Sequence, residues 1–366
     1  MRVGIDATPL LGARTGVGQY VAGLLEGLAV QPEPPEVQLA AFTWRGTAAL
    51  PVGPPVAGVG RRAPARALQA MWRRLPLPPV EWLTGSVDVF HATNYVLPPL
   101  RSAAGVLSLH DLSYLHHADT VTAATLRYRA LVPRGLRRAG AVCVLSATLA
   151  GEVAAEYGVP REQIVVAPPG VAAVWHAATP PTAAWLAERG LPARYLLFVG
   201  SREPRKNLPV LLDAVAALHD EDPAAPPLVL VGPPGWGPAL DASRLPAHAV
   251  VTPGYLDTAD LVRVVAGAAC LAFPSRYEGF GMPPLEALAT GTPVVASDLP
   301  VLREVLGDAA SFVPVGDADA LAAALAAALG GDGGDIAREQ RRAQAASYTW
   351  AATAAAVMSA YQLALA

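Results

Sequence analysis

Short, unbroken apolar runs recur along this chain, each followed by a polar or glycine-rich stretch and then by a segment of helical period. Runs at residues 2–5, 37–42, 87–91, 105–109, 141–145 and 164–167 predict strands in the first half. Runs at 195–199, 228–231, 249–251, 269–273, 293–296 and 311–313 predict strands in the second. Strands that are apolar throughout, rather than alternating, belong to sheets covered on both faces. Helical patterns fall between them, notably at 18–28, 148–157, 209–218, 258–266, 284–288 and 318–329. This alternation predicts an α/β chain with parallel sheets. A proline-rich stretch at 168–176, with Pro180 and Pro181 just beyond, reads as a linker between two such blocks. Two doubly wound domains facing a cleft are therefore expected, with ligands bound outside the carboxyl ends of the strands. No internal repeat of short period is visible.

Composition fits that picture. At 366 residues, with 53% apolar and 16% charged side chains, the chain can fill two cores. Its 33 glycines and 36 prolines are many, yet fewer than a disordered chain would carry. Cys143 and Cys270 each lie inside an apolar run, so two buried, reduced thiols are expected rather than a disulfide framework. The sequence opens on a strand and not on a charged leader, so the expected compartment is the cytoplasm. Residues 343–366 carry no charge and are long enough to raise the question of a membrane span. They are mostly alanine, interrupted by Ser347, Thr353, Ser359 and Gln362, and predict a packed C-terminal helix instead.

Charge is uneven. Residues 1–177 hold 15 Lys and Arg against 11 Asp and Glu, whereas the remainder holds 12 against 19. Arg61, Arg62, Arg66, Arg73 and Arg74 cluster around Leu68, Met71 and Trp72. The cluster is either a solvated basic helix over a small apolar seam, or a surface for an anionic acceptor or lipid headgroups. The second option would allow peripheral contact with the inner face of a membrane. A negative overall charge and the lack of a recognition module argue against nucleic acid.

Four places carry candidate chemistry. Gly16 and Gly18 open the first helix after the first strand, as in a phosphate cradle. The dinucleotide fingerprint would need glycine where Val21 stands and an acid where Thr43 and Trp44 stand, so a nicotinamide cofactor is disfavoured. A plain tight turn is the alternative. His110 and Asp111 end the run 105–109, at the rim of the expected cleft; a capped surface histidine is the alternative there. His116, His117 and Asp119 follow without further zinc spacing. The loop 200–207 gathers Arg202, Arg205 and Lys206 before a helix, suited to neutralising a departing diphosphate, or else a charged loop capped by Asn207. The fourth place follows the strand 269–273: Glu278, Gly279, Phe280 and Gly281 lead into a helix that carries Glu286. Such a turn offers backbone N–H groups to phosphate, and its two carboxylates can hold hydroxyls. Asp317 and Asp319 match a metal-type Asp-x-Asp pattern, but they precede an alanine-rich helix and read as its cap.

Taken together and in this order, these motifs resemble the GT-B-fold retaining glycosyltransferases of family four, in particular bacterial members of the mannosyltransferase-like group. The resemblance runs from residues 4–10 and Gly16–Gly18 through His91, His110 and the loop 198–207 to the glutamate pair and Trp350. It implies two Rossmann-like domains: an acceptor-side domain at 1–175, a nucleotide-sugar domain at 176–346, and a helix at 347–366 that crosses back to the first. It also implies roles. Lys206, helped by Arg202, would bind the donor diphosphate; Glu286 would hold the ribose hydroxyls. Glu278 would contact the sugar, with the backbone of Gly279, Phe280 and Gly281 near sugar and phosphate. His110 would sit by the anomeric carbon, and Gly16 and Gly18 would approach diphosphate or acceptor. Pro169 stands where many relatives have asparagine, so no role is carried over there.

The implied reaction moves a hexose, mannose first and glucose second, from a nucleotide-diphosphate sugar to a hydroxyl of a glycan, glycolipid or small molecule. GDP-mannose is the first donor expected. The anomeric configuration would be retained, with neither cofactor nor metal required. A sugar phosphorylase on the same fold, or a silent nucleotide-sugar-binding protein, are the other readings.

Overall fold

The computed structural model describes residues 1–12, 16–43, 50–51, 53–61, 64–237, 239–331 and 334–366, with no side-chain description for Ala65 and Arg66. Trp44 and Arg62, named above, and Arg14 and Thr15, which precede Gly16 in the first glycine-rich turn, lie outside the described residues. The chain divides into two compact units. Unit 1 comprises Met1–His116, Ala123–Gly170 and Tyr348–Ala366; unit 2 comprises His117–Thr122 and Val171–Ser347.

Among the described residues, unit 1 contains one parallel sheet of seven strands. They are β1 (Arg2–Asp6), β2 (Glu36–Ala40), β3 (Val56–Val59), β4 (Val89–Ala92), β5 (Ala104–Leu109), β6 (Ala139–Val144) and β7 (Ile164–Val166), in the order β3-β2-β1-β4-β5-β6-β7. Unit 2 contains a six-stranded parallel sheet. Its strands are β8 (Leu196–Val199), β9 (Leu228–Val231), β10 (Val250–Gly254), β11 (Cys270–Phe273), β12 (Val294–Ser297) and β13 (Ser311–Val313), in the order β10-β9-β8-β11-β12-β13. Central strands such as β4, β8, β9 and β11 are buried at every residue, which is why they read as unbroken apolar runs. In each sheet the order reverses once, between β1 and β4 and between β8 and β11. These are the switch points where diverging loops leave room for a ligand.

The expected linker at 168–176 is only half a linker. A short helix, Ala173–His176, already belongs to unit 2 and buries Trp175 to 4% exposure, so the division lies at Gly170 and not at 175. The sequence pattern also passed over β3, a strand of four residues that contains Gly58, whereas the helix Ala65–Trp72 falls where a basic helix over an apolar seam was one of the two readings.

The C-terminal helix Trp350–Leu365 packs in unit 1, burying Thr353, Ala354, Val357, Ala360 and Tyr361. Four glycines make its seat. A Cβ on Gly23 would lie 2.1 Å from the Trp350 ring, and one on Gly27 would lie 2.1 Å from the Trp350 carbonyl oxygen. Gly170 meets the Trp350 backbone nitrogen at 2.1 Å, and Gly140 meets Ala364 at 2.9 Å. Buried polar groups fix the helix further: His91 bonds to the Tyr361 hydroxyl at 2.9 Å and to the Ser108 hydroxyl at 2.7 Å. Burial, with His110 nearby, pushes the His91 imidazole down to about 3, so the link is a neutral one. No single helix among the described residues is long and apolar enough to cross a membrane. Cys143 and Cys270 are both free and fully buried, and burial pushes both thiols up to about 12.

Candidate active site

In unit 2 the two loops at the switch point are β8's and β11's. After β8, the chain passes Gly200 at φ 153°, makes a single 3₁₀ turn at Pro204–Lys206, and enters the helix Leu208–Glu221 through Asn207 at φ 56°. Asparagine is one of the few residues that adopts this left-handed conformation readily. The turn therefore delivers two consecutive cations, Arg205 and Lys206. Lys206 is the only lysine in the chain. After β11, Gly281 turns the chain into the helix Met282–Thr290 at φ 99°, and a Cβ there would strike Leu302 at 2.6 Å. The two loops are joined directly, since the Arg276 N–H donates to the Arg205 carbonyl at 2.8 Å.

Between these loops lies a compact ionic cluster. Lys206 Nζ is 2.7 Å from Glu278 Oε1, and Arg205 Nη1 is 2.8 Å from Glu278 Oε2. The same Arg205 Nη1 donates to the Tyr277 carbonyl at 2.7 Å, and Nη2 lies 3.3 Å from Glu203. Lys206 Nζ also sits 4.7 Å from the centre of the Phe273 ring. Lys206 and Glu278 are both buried, at 8% exposure. Burial alone would raise the Glu278 carboxyl, but Arg205 and Lys206 outweigh it and pull it down to about 2. Glu278 is thus a fixed carboxylate and not a proton donor at neutral pH.

Glu286 is half-buried one turn along the helix, and burial pushes its carboxyl up to about 8. The two glutamates therefore differ in charge state: Glu278 is an anion clamped by cations, and Glu286 is raised toward the protonated form. The helix N-terminus contributes less than expected. Pro283 and Pro284 carry no N–H, so of the first three helical residues only Met282 can donate. An anion placed here would meet mainly side-chain cations.

Sequence reasoning named Arg205 among the cations of this loop but gave the supporting role beside Lys206 to Arg202. Arg202 lines a cavity of about 440 Å³ together with Arg244, Arg276, Leu208, Leu212 and Leu240. Gly279 and Phe280 are buried beside Glu278, with Phe280 at 3% exposure. The segment His117–Thr122, from the first half of the sequence, belongs to this unit: Trp236 Nε1 donates to the Thr120 carbonyl at 2.9 Å, and His117 stacks obliquely on Tyr277 with centroids 5.0 Å apart.

Unit 1 presents a different set. His110, just past β5, is 8% exposed and donates from Nε2 to the Thr93 carbonyl at 2.6 Å, which leaves Nδ1 as the acceptor nitrogen. Burial lowers its pKa, against the Thr93 carbonyl and Asp111, which pull the other way. Tyr20 and Tyr95 hold the ring edge-on, at 5.2 and 5.7 Å. Tyr95 has a left-handed backbone, φ 62°, and its hydroxyl accepts the Asp111 N–H at 3.0 Å. A strained residue fixed in this way marks a place that the surroundings over-determine. Thr93 in turn donates to the Asp6 carbonyl at 2.6 Å, tying His110 to the end of β1. Gly16 begins the helix Gly16–Ala29, and a Cβ there would meet nothing within 4 Å. Gly18 is buried in the same turn. Asp317 caps the helix Ala318–Gly330 by accepting the Ala320 N–H at 2.9 Å. Among the described residues no group of three or more His, Cys, Asp or Glu side chains gathers in metal-binding geometry.

Comparison with known proteins follows the same division. Residues 14–175 match a model described as Glycosyltransferase Family 4, and residues 193–330 match one described as Glycosyl transferases group 1. The chain is 28% identical to the O-antigen chain mannosyltransferase B of Escherichia coli, over 99% of this chain and 100% of that protein. It is 29% identical to the phosphatidyl-myo-inositol mannosyltransferase of Mycolicibacterium smegmatis, over 99% and 94%. Sucrose-phosphate synthase from Thermosynechococcus elongatus shares the fold, with a TM-score of 0.73 at 20% identity over 99% of this chain and 98% of that one. Two parallel α/β units, each matched by its own half of one enzyme family, leave a single assignment: the chain belongs to the GT-B-fold glycosyltransferases of group 1 and family 4.

Proposed function

We propose that this glycosyltransferase moves a mannosyl group from a nucleotide-diphosphate sugar, GDP-mannose first, to a hydroxyl of a glycan or glycolipid, with retention at the anomeric carbon. The observation that carries the reading is the Arg205–Glu278–Lys206 cluster at the β8/β11 switch point, where a buried lysine and a partly buried arginine are held ready for an anion. The mannosyltransferase names of the two full-length relatives favour mannose as the sugar.

In this reading the bond between the anomeric carbon and the diphosphate oxygen breaks as the acceptor oxygen attacks from the same face. The acceptor's proton passes to the departing diphosphate, so no protein nucleophile is used. Lys206 and Arg205 stabilise the charge that grows on the diphosphate, the differential electrostatic contribution that most lowers a barrier. Arg205 takes the supporting role first given to Arg202. Glu278, permanently ionised, accepts hydroxyls of the sugar and orients it. Glu286 accepts the ribose hydroxyls. His110, neutral, offers Nδ1 to a hydroxyl of the transferred sugar. Two cations supply the positive charge, so the scheme asks for no metal, and chelation should leave turnover unchanged.

Thermal unfolding against a panel of nucleotide sugars tests the donor, since a ligand stabilises by RT ln(1 + [L]/Kd). GDP-mannose should raise the midpoint most. A larger rise with a uridine or adenosine donor would overturn the donor assignment. An inverted product by proton NMR would overturn the retaining scheme. Tight nucleotide binding with no transfer or donor hydrolysis would point to a binding protein instead.

A further inference from the structure

From its surface we infer that unit 1 carries a docking site for an anionic lipid bilayer, built from residues 61, 71–82 and 101. The helix Ala65–Trp72 does bury an apolar seam, with Leu68 at 6% and Trp72 at 3% exposure. What the seam leaves outside is not a solvated polar face. Met71, Leu75, Leu77 and Trp82 stand 43%, 55%, 51% and 59% exposed. Arg61, Arg73, Arg74 and Arg101 are exposed around them. Backbone and side-chain tethers hold these residues on one surface. The Trp72 indole donates to the Pro78 carbonyl at 3.0 Å, closing the stretch 72–78 into a loop. The Arg61 N–H donates to the Leu83 carbonyl at 2.7 Å, and the Arg101 N–H donates to Glu81 at 2.8 Å; both therefore flank the turn that carries Trp82.

The occupant follows from charge and shape together. None of the four arginines forms an ion pair among the described residues. The sequence carries no acid between Glu36 and Glu81. The acid inside this stretch, Glu81, is engaged by three backbone N–H groups, and the preceding acid in the sequence, Glu36, pairs with Arg2. Unpaired cations beside protruding leucine, methionine and tryptophan match a bilayer interface. There the cations meet headgroups while the apolar side chains enter the acyl boundary, and tryptophan prefers that level. An acidic protein partner would satisfy the arginines but would leave the leucines without a match. The chain would lie on the bilayer and not span it.

The inference does not depend on the donor or reaction proposed above. Flotation of the full chain with phosphatidylglycerol–phosphatidylcholine vesicles, set against phosphatidylcholine alone, tests it. Binding is expected only with the anionic vesicles and should weaken as salt rises. Arg73→Glu with Arg74→Glu should reduce binding about thirtyfold, at roughly fivefold per cation. Leu75→Ser, Leu77→Ser and Trp82→Ser together should reduce it about tenfold or more. If that triple variant unfolds, Arg73→Gln with Arg74→Gln gives the answer, since both side chains are exposed and unpaired. Nucleotide binding by every folded variant should match the parent. Equal binding to both vesicles, no binding to either, or unchanged binding by the charge variants would overturn the proposal. So would a solution dimer that these substitutions dissociate.

Discussion

The carboxyl ends of the two sheets have been built from opposite materials. In unit 2 the loops after β8 and β11 gather charge: two cations, each within 2.8 Å of the one carboxylate of Glu278. In unit 1 the loops after β4 and β5 bury neutral groups: an imidazole, a threonine carbonyl and tyrosine rings. The same doubly wound plan therefore serves two kinds of ligand. A buried ion cluster is costly to assemble and changes most when an outside anion competes for its cations. A neutral aromatic surround changes little with charge and selects by shape and hydrogen bonding. In the reading proposed above, the charged cluster of unit 2 would meet the diphosphate, while Glu278 of unit 2 and the neutral His110 of unit 1 would meet the sugar.

The largest test strikes the charged side. Lys206→Ala or Arg205→Ala should each lower turnover about a hundredfold or more, in line with the loss of one donor that stabilises a developing anion. Arg202→Ala, from the neighbouring cavity, should cost far less. Similar losses at Arg202 and Arg205 would erase the distinction drawn between them. Because Lys206 is the sole lysine, an amine-selective reagent should modify it and the N-terminal amine alone. Nucleotide diphosphate should protect only Lys206, as peptide mass spectrometry would record.

Next comes stability. Glu278→Gln removes the anion shared by buried Lys206 and partly buried Arg205 and should destabilise the protein by about 3 kcal/mol in chemical denaturation. A nucleotide diphosphate should recover part of the loss by supplying a new anion. The pH dependence has the same origin. The Glu278 carboxyl is held at about 2, below its ordinary 4.5, so its contribution is present above 4.5 and disappears as pH falls through about 2. The variant should lack that acid-side loss.

Glu286 gives a smaller effect of opposite sign. Its carboxyl is raised to about 8, and a carboxylate accepts hydroxyls better than an acid does, so in the proposed role of holding the ribose Glu286 should release a proton when nucleotide binds. Affinity should climb as pH rises toward about 8, by up to about tenfold per pH unit, and then level off. Titration calorimetry would show this, and Glu286→Gln should flatten the slope. On the neutral side, His110→Phe keeps a ring but loses Nδ1, and should reduce kcat about fivefold with donor affinity unchanged. A fall in donor affinity equal to the fall in kcat would move His110 to the charged side of the comparison.

How much of this was legible in the sequence depends on how local each signal is. The sheets were readable because strands covered on both faces must be apolar at every position, as the sequence of β8 or β11 shows. The loops after them were readable because glycine, asparagine and proline mark the turns. Which cation of the loop 200–207 faces Glu278 was not readable. Arg202 and Arg205 are three residues apart, and only the course of the 3₁₀ turn decides between them. The inequality of Glu278 and Glu286 was hidden for the same reason, since a carboxyl's protonation is set by neighbours from another loop. Residues 117–122 could not be assigned to unit 2 from pattern, because the contacts from Thr120 to Trp236 and from His117 to Tyr277 span more than a hundred residues. The seat of the C-terminal helix left a faint trace, Gly23 and Gly27 four apart on one helix face, without naming Trp350 as the occupant.

That seat has a consequence for the order in which the protein can be made. Unit 2 is threaded through the middle of unit 1, so the first unit begun on the ribosome is the last to be finished. Its sheet and the notch at Gly23 and Gly27 must wait, apolar and uncovered, for about 180 residues of other structure to be synthesised. A premature stop just before Tyr348 would leave every residue of unit 2 intact and deprive the opposite end of the sequence of its lid. Damage to the tail is then a lesion of the beginning, and a truncated product should expose unit 1 to proteases while unit 2 resists.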